Sequence, residues 1–267
     1  MTDIQVLADP LAVGAALATR IADAIAAAEG DFLLGCPGGR SPVTTYAALG
    51  QLAVERRLDL SRVRIVMMDD YLEPDGDGWR RIPADRHNSC ERFARVEIRD
   101  VLNAGLPPER QVPADRVHLP NPADPAAYDR WLTELGGIDF FILASGAGDG
   151  HVAFNPPGSP ADSRTRVVEL AEQTKIDNLA TFPDFAGVDD VPTHGVTVGI
   201  ATIAEQSKDA AMVIHGAGKR EAFDRVTGVA GYDPQWPATV VNLVAGSTVF
   251  ADQAAAGTAA PESDDPR

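Results

Sequence analysis

Cysteine is nearly absent. The 267-residue chain has two, Cys36 and Cys90, and neither lies in a CxxC or a Cys/His cluster. That argues against a structural zinc site, and a reducing, cytoplasmic setting is the simplest reading of so few thiols. Long apolar runs are missing too: none approaches the ~20 residues that a bilayer span requires. The first ten residues, MTDIQVLADP, carry neither a basic n-region nor an apolar h-region, so no secretory signal is read there. Positive charge is scarce, 23 Lys and Arg against 39 Asp and Glu, for a formal net charge of −16. A field of that sign excludes nucleic acid and anionic lipid as partners. It repels a small anion as well, so any phosphate site must be locally positive, built from backbone N–H groups and a few Arg or Lys.

Apolar residues make up 45% of the chain, enough for a large core. Short apolar runs alternate with helical periodicity, the pattern of a mostly parallel sheet with helices on both faces. Helices are expected over Pro10–Gly30, Val43–Leu52, His87–Ala104, Asp124–Leu135 and Lys219–Val226, with Ser41 as N-cap of the second. Strands are expected at Phe32–Cys36, Val63–Met68, Val117–Leu119, Ile138–Ser145, Arg166–Leu170, Ala210–His215 and Thr248–Ala251, and a strand or turn at Gly195–Gly199. The Gly- and Pro-rich stretch Leu72–Arg86 reads as a lid or binding loop. One α/β domain over residues 1–252 accounts for this pattern, and 253–267 reads as a disordered tail.

In such sheets ligands bind beyond the C-terminal strand ends, and several ends here carry unusual residues. PGGRSP, with Gly39, Arg40 and Ser41, is a Gly-rich strand-to-helix turn suited to an anion. Asp69 and Asp70 close a buried apolar strand, where a carboxylate partly out of water gains a raised pKa fit for proton transfer, the task given to Asp69, with Asp70 as a substrate contact. Asp149, Gly150 and His151 follow the strongest strand; the glycines allow a sharp turn, and a carboxylate beside an imidazole fixes its tautomer. Lys219, after Gly216-Ala217-Gly218, and Arg166 are further candidate phosphate contacts. His87, His118, His194 and His215 have no obvious partner and read as structural.

GCPGGRSPVTTY, VRIVMMDDYLEP, GGIDFFILASGAGDGHVAFNPPGS, SRTRVVEL, VTVGIATI and VIHGAGKREA occur in that order between Phe32 and Phe223. Together they resemble the glucosamine-6-phosphate deaminase/isomerase family, which is related to the 6-phosphogluconolactonases. The resemblance implies a Rossmann-like three-layer fold with a mostly parallel central sheet. It implies that Asp69 shuttles a proton between C1 and C2 of an open-chain sugar, and that His151, supported by Asp149, opens the ring. Arg40, Ser41, Ser159 and Lys219 fall on or beside its phosphate-binding positions. A sugar phosphate is then the partner, no cofactor or metal is implied, and a homo-oligomer is among the expectations. The chain is a divergent member of that pattern. Pro156 stands where the deaminases carry the Glu that assists the His, Ala180 where an Arg holds phosphate, and Asp70 where a Glu follows the first Asp. Two rival readings follow: a sugar-phosphate lactonase in which His151 activates water, and a sugar-phosphate-binding sensor of weak activity.

Overall fold

A computed structural model describes residues 2–258. Along the chain, β1 (Asp3–Leu7) leads into α1 (Pro10–Ala27), then β2 (Phe32–Cys36), α2 (Val43–Glu55) and β3 (Val63–Met67). A hairpin follows, β4 (Asp69–Asp75) and β5 (Gly78–Arg81). The next helix starts as α3 (Cys90–Phe93), passes through a π-helical stretch (Ala94–Arg99) and ends as α4 (Asp100–Asn103). Then come β6 (Val117–His118), α5 (Ala126–Glu134), β7 (Phe140–Ala144), β8 (Arg166–Glu169), α6 (Glu172–Thr181) and β9 (His194–Thr197). The last third holds α7 (Ile200–Gln206), β10 (Ala210–Ile214), α8 (Arg220–Thr227), a 3₁₀ stretch (Pro237–Leu243), β11 (Thr248–Asp252) and α9 (Gln253–Ala256).

Seven strands form one sheet in the order β1-β11-β10-β7-β2-β3-β6, with every pairing parallel. Its strands read as unbroken apolar runs because both faces are covered. Successive side chains alternate between two cores. Leu34, Ile65, Ile142 and Val213 pack with α1 and α2. Leu33, Val66, Phe141 and Met212 pack on the other face, with α5, α7 and α8. This is the three-layer α/β arrangement expected.

By length and composition α1 is the one helix, among the described residues, apolar enough to cross a membrane. Here Val13, Leu17, Ala18 and Ile21 are fully buried in the core, and Arg20 ion-pairs with Asp209 at 2.8 Å.

Three expectations are corrected. Leu72–Arg86 is no loose lid: β4 and β5 pair antiparallel through a tight turn at Gly76, whose φ is +59°. This hairpin joins β9 and β8 in a second, antiparallel sheet ordered β5-β4-β9-β8. Ser41 does not cap α2; the N-cap is Pro42, in helical conformation and without a side-chain bond. The start of the expected tail is ordered, since Asp252 accepts from the N–H of Ala255 at 2.7 Å and Gly257 closes α9 in the left-handed region. The rest of that tail, 259–267, lies outside the described residues.

Candidate active site

The sheet order reverses between β2 and β7. From β2 the chain builds outward through β3 to β6; from β7 it builds the other way, through β10 and β11. The crevice at such a switch point is the favoured ligand site of an open α/β sheet. A cavity of about 430 Å³ lies there. Gly39, Arg40 and Ser41 line it from the loop after β2, Asp69 from the start of β4, Ser145, Gly146 and His151 from the loop after β7, and His215 and Lys219 from the segment after β10.

Asp69 sits where the chain leaves the parallel sheet and enters the antiparallel one. Met68 ends the first run and its carbonyl accepts from Val198; Asp69 then pairs across β9 with Thr197. The side chain is 6% exposed. Burial pushes its pKa to about 7; a bond from Cys90 and the nearby His151 pull it down, and Asp70 pushes it up. A carboxyl poised near neutrality is suited to taking and returning a proton.

Asp70 points away from the cavity. It is fully buried, and its Oδ1 accepts from the backbone N–H groups of Tyr71 (2.9 Å) and Cys90 (3.0 Å). It ties β4 to the first turn of α3, a structural task in place of the substrate contact expected.

The loop after β7 folds back on itself. Asp149 Oδ1 lies 2.7 Å from Nδ1 of His151 and accepts from the backbone N–H of His151 at 3.1 Å. This pairing assigns the proton of the neutral imidazole to Nδ1 and leaves Nε2 free. Burial pushes Asp149 up, but the bond to His151 and its charge hold the carboxyl below the usual range. Glycine is required at two points. A Cβ on Gly146 would sit 2.3 Å from both Asp149 Oδ1 and His151 Nδ1; Gly150 has φ +65°, and a Cβ there would lie 2.3 Å from the Trp236 ring. Gly150 therefore shapes the loop and does not line the cavity. Ala153, next along, holds φ +51° without being glycine, the kind of backbone strain that collects at functional sites.

Ser159 and Arg166 also lie off the cavity. Arg166 donates to Asn155 Oδ1 at 2.9 Å and to Ser159 Oγ at 3.4 Å. Asn155 in turn donates to the carbonyls of Val152 and Val198. Together they brace the back of the His151 loop, so the phosphate role expected of Ser159 and Arg166 does not fit their placement.

Lys219 reaches in from the far side and donates to the Ser145 carbonyl. Burial lowers its pKa; Asp177 and Asp149 oppose this, and Arg40 adds to it. An incoming dianion would reverse that depression. His215, read as structural from the sequence, belongs to the site: its Nε2 lies 3.0 Å from the Ser41 carbonyl.

One wall gave little signal in the sequence. Thr174, Asp177, Asn178 and Thr181 line the cavity from a single face of α6. Gln173 fixes Asp177 at 2.9 Å. Among the described residues, Asp149, His151 and Asp177 place ligand-capable atoms within 4.8 Å of one another, a grouping that could hold a cation. The visible clue was spacing: positions 174, 177, 178 and 181 recur at one helical turn, with polar residues where an apolar stripe is usually sought.

Residues 8–250 match the family model described as glucosamine-6-phosphate isomerases/6-phosphogluconolactonase. A glucosamine-6-phosphate deaminase of Shouchella clausii (strain KSM-K16) is 34% identical over 234 residues, covering 84% of each chain. One from Bifidobacterium longum (strain NCC 2705) is 36% identical over 262 residues, covering 96% of this chain and 92% of its own. Among solved structures, a monomeric glucosamine-6-phosphate deaminase superposes with a TM-score of 0.81 at 27% identity, over 97% of this chain and 100% of its own. A 6-phosphogluconolactonase from Leishmania guyanensis shares the fold, with a TM-score of 0.70 at 16% identity over 98% of this chain and 100% of its own. The chain is thus a member of the glucosamine-6-phosphate isomerase/6-phosphogluconolactonase family of enzymes.

Proposed function

We propose that this enzyme converts a hexosamine 6-phosphate to the ketose phosphate with release of ammonia, in one α/β domain working in the cytoplasm. The observation that carries the reading is the meeting of Asp69 and His151 in one cavity, with Lys219 and Arg40 at its edge. Arg40, Lys219 and the N–H groups of the loop after β2 hold the phosphate, answering the need for local positive charge in a chain of net charge −16. His151, oriented by Asp149, moves a proton between the C1 hydroxyl and the ring oxygen, and the ring opens. Asp69 then removes the proton from C2 and returns it to C1, which leaves an imine at C2. Water adds to C2, and ammonia leaves. Each step is a proton transfer or the exchange of water for ammonia; C1 is reduced as C2 is oxidised, so there is no net redox change.

Pro156 and Ala180 favour attention to a second reading. Without a carboxylate at 156 or a guanidinium at 180, His151 acting on water at a sugar-phosphate lactone needs fewer partners. A proton NMR time course in D₂O separates the two. Deuterium entering C1 of the product from glucosamine 6-phosphate, with ammonium release, is the expected result. Accelerated hydrolysis of 6-phosphogluconolactone without such exchange would move the enzyme to the lactonase side. Silence with both would leave a sugar-phosphate sensor.

A further inference from the structure

Cys90 is one of two thiols in the chain, and nothing in the proposed reaction uses it. It is 4% exposed, opens α3, and lines the cavity. Its Sγ donates to Oδ1 of Asp69 at 3.4 Å, within the reach of a sulfur hydrogen bond. Its own backbone is held in turn, since the Cys90 N–H donates to Asp70 Oδ1 at 3.0 Å and Asp70 is fixed to Tyr71. Ser89 caps the same turn by accepting from Arg92. The chain of contacts thus runs from Asp70 through the start of α3 to Asp69. We propose that Cys90 is a positioning residue for Asp69, its thiol holding one carboxylate oxygen in place and favouring the proton-accepting form.

The chemistry of the surroundings agrees. Burial, followed by Asp69 and Asp70, raises the Cys90 pKa well above that of an ordinary thiol. The group therefore stays S–H and remains a donor. Asp69 is also faced by Asp70 on its own strand, His151 from the loop after β7, Tyr46 from α2, Tyr71 from β4 and Tyr128 from α5. Of these, Cys90 and His151 favour the ionised carboxylate. The inference rests on the proposed role of Asp69, so its test has one arm that needs no turnover.

The first arm compares kcat/KM against pH for the wild type, Cys90→Ala and Cys90→Ser. Loss of the donor in Cys90→Ala should move the acid limb upward by about half to one pH unit, which costs roughly 3- to 10-fold below the limb and nothing well above it. Cys90→Ser keeps a donor and should stay with the wild type. An unmoved limb in Cys90→Ala, or an equal loss at every pH in both variants, would reduce Cys90 to packing. The second arm reads the infrared S–H stretch, with Cys36 as internal reference, since Cys36 donates to the Leu34 carbonyl instead. The Cys90 band, assigned by its loss in Cys90→Ser, should shift in Asp69→Asn while the Cys36 band does not. A Cys90 band indifferent to Asp69 overturns the inference even if the protein turns over neither sugar phosphate; a band that responds in a silent protein keeps the contact and rejects only the proposed activity.

Discussion

Asp69 and Lys219 are perturbed in opposite directions for one physical reason. Burial disfavours whichever form carries charge, raising the pKa of the acid and lowering that of the ammonium. Both groups are thereby brought nearer neutrality, where proton transfer and anion capture respond to a ligand. If Lys219 holds phosphate, Lys219→Ala should raise KM for phosphorylated sugars about 10-fold or more, the worth of a charged hydrogen bond, while binding of the unphosphorylated sugar stays the same. Steady-state kinetics with both substrates checks this; equal effects on both would remove Lys219 from the phosphate site. Asp69, His151, Arg40 and Lys219 were legible as residues because each follows an apolar strand at a glycine- or polar-rich turn. Asp70 adjoins Asp69, Ser159 lies in a Pro-Gly turn and Arg166 opens β8, yet their side chains turn toward Cys90, Pro156 and Asn155. Orientation at a strand end depends on the neighbouring element, which local sequence does not encode.

The elements of the parallel sheet were legible for a related reason. Strands buried on both faces announce themselves as apolar runs such as Phe32–Cys36 and Phe140–Ala144. Others gave weaker signals. β1 is an edge strand with Ile4 and Val6 exposed, and β4 begins with two Asp. α6 presents a polar face to a polar cavity, so it lacks an apolar stripe. The loop carrying His151 is the element most sensitive to a small change. Gly150→Ala would place a methyl into the Trp236 ring at a left-handed backbone position. The cost should be at least ~2 kcal/mol of unfolding free energy, the sum of overpacking and strained backbone. Urea denaturation measures it; a loss under about 0.5 kcal/mol would mean that the loop relaxes without cost.

At the scale of the whole molecule, the site is held against the preference of the fold. Asp69 and Asp70 are both buried, and burial raises each pKa to about 7 from an ordinary value near 3.8. The native state therefore binds these protons more tightly than the unfolded chain. Their contribution to stability is fully present below about pH 4, falls as pH rises, and is lost above about pH 7. Asp69→Asn removes one such group. It should melt a few degrees above the wild type at about pH 8, with the gap much narrower at about pH 5. Thermal melts followed by circular dichroism at the two pH values test this; a gap independent of pH would mean that Asp69 is not protonated in that window. By itself the sequence determined the alternation of strands and helices, the glycine turns at the strand ends and the family, because these are recorded in local composition and order. Only the tertiary structure decided that β2 and β7 lie side by side, that β4 and β9 build a second sheet, and that α6 supplies a wall. Parallel neighbours are joined by long crossovers, and α6 meets the cavity through side chains whose partners lie far away in the chain. Which strand ends share a crevice is therefore set by the packing of the whole sheet.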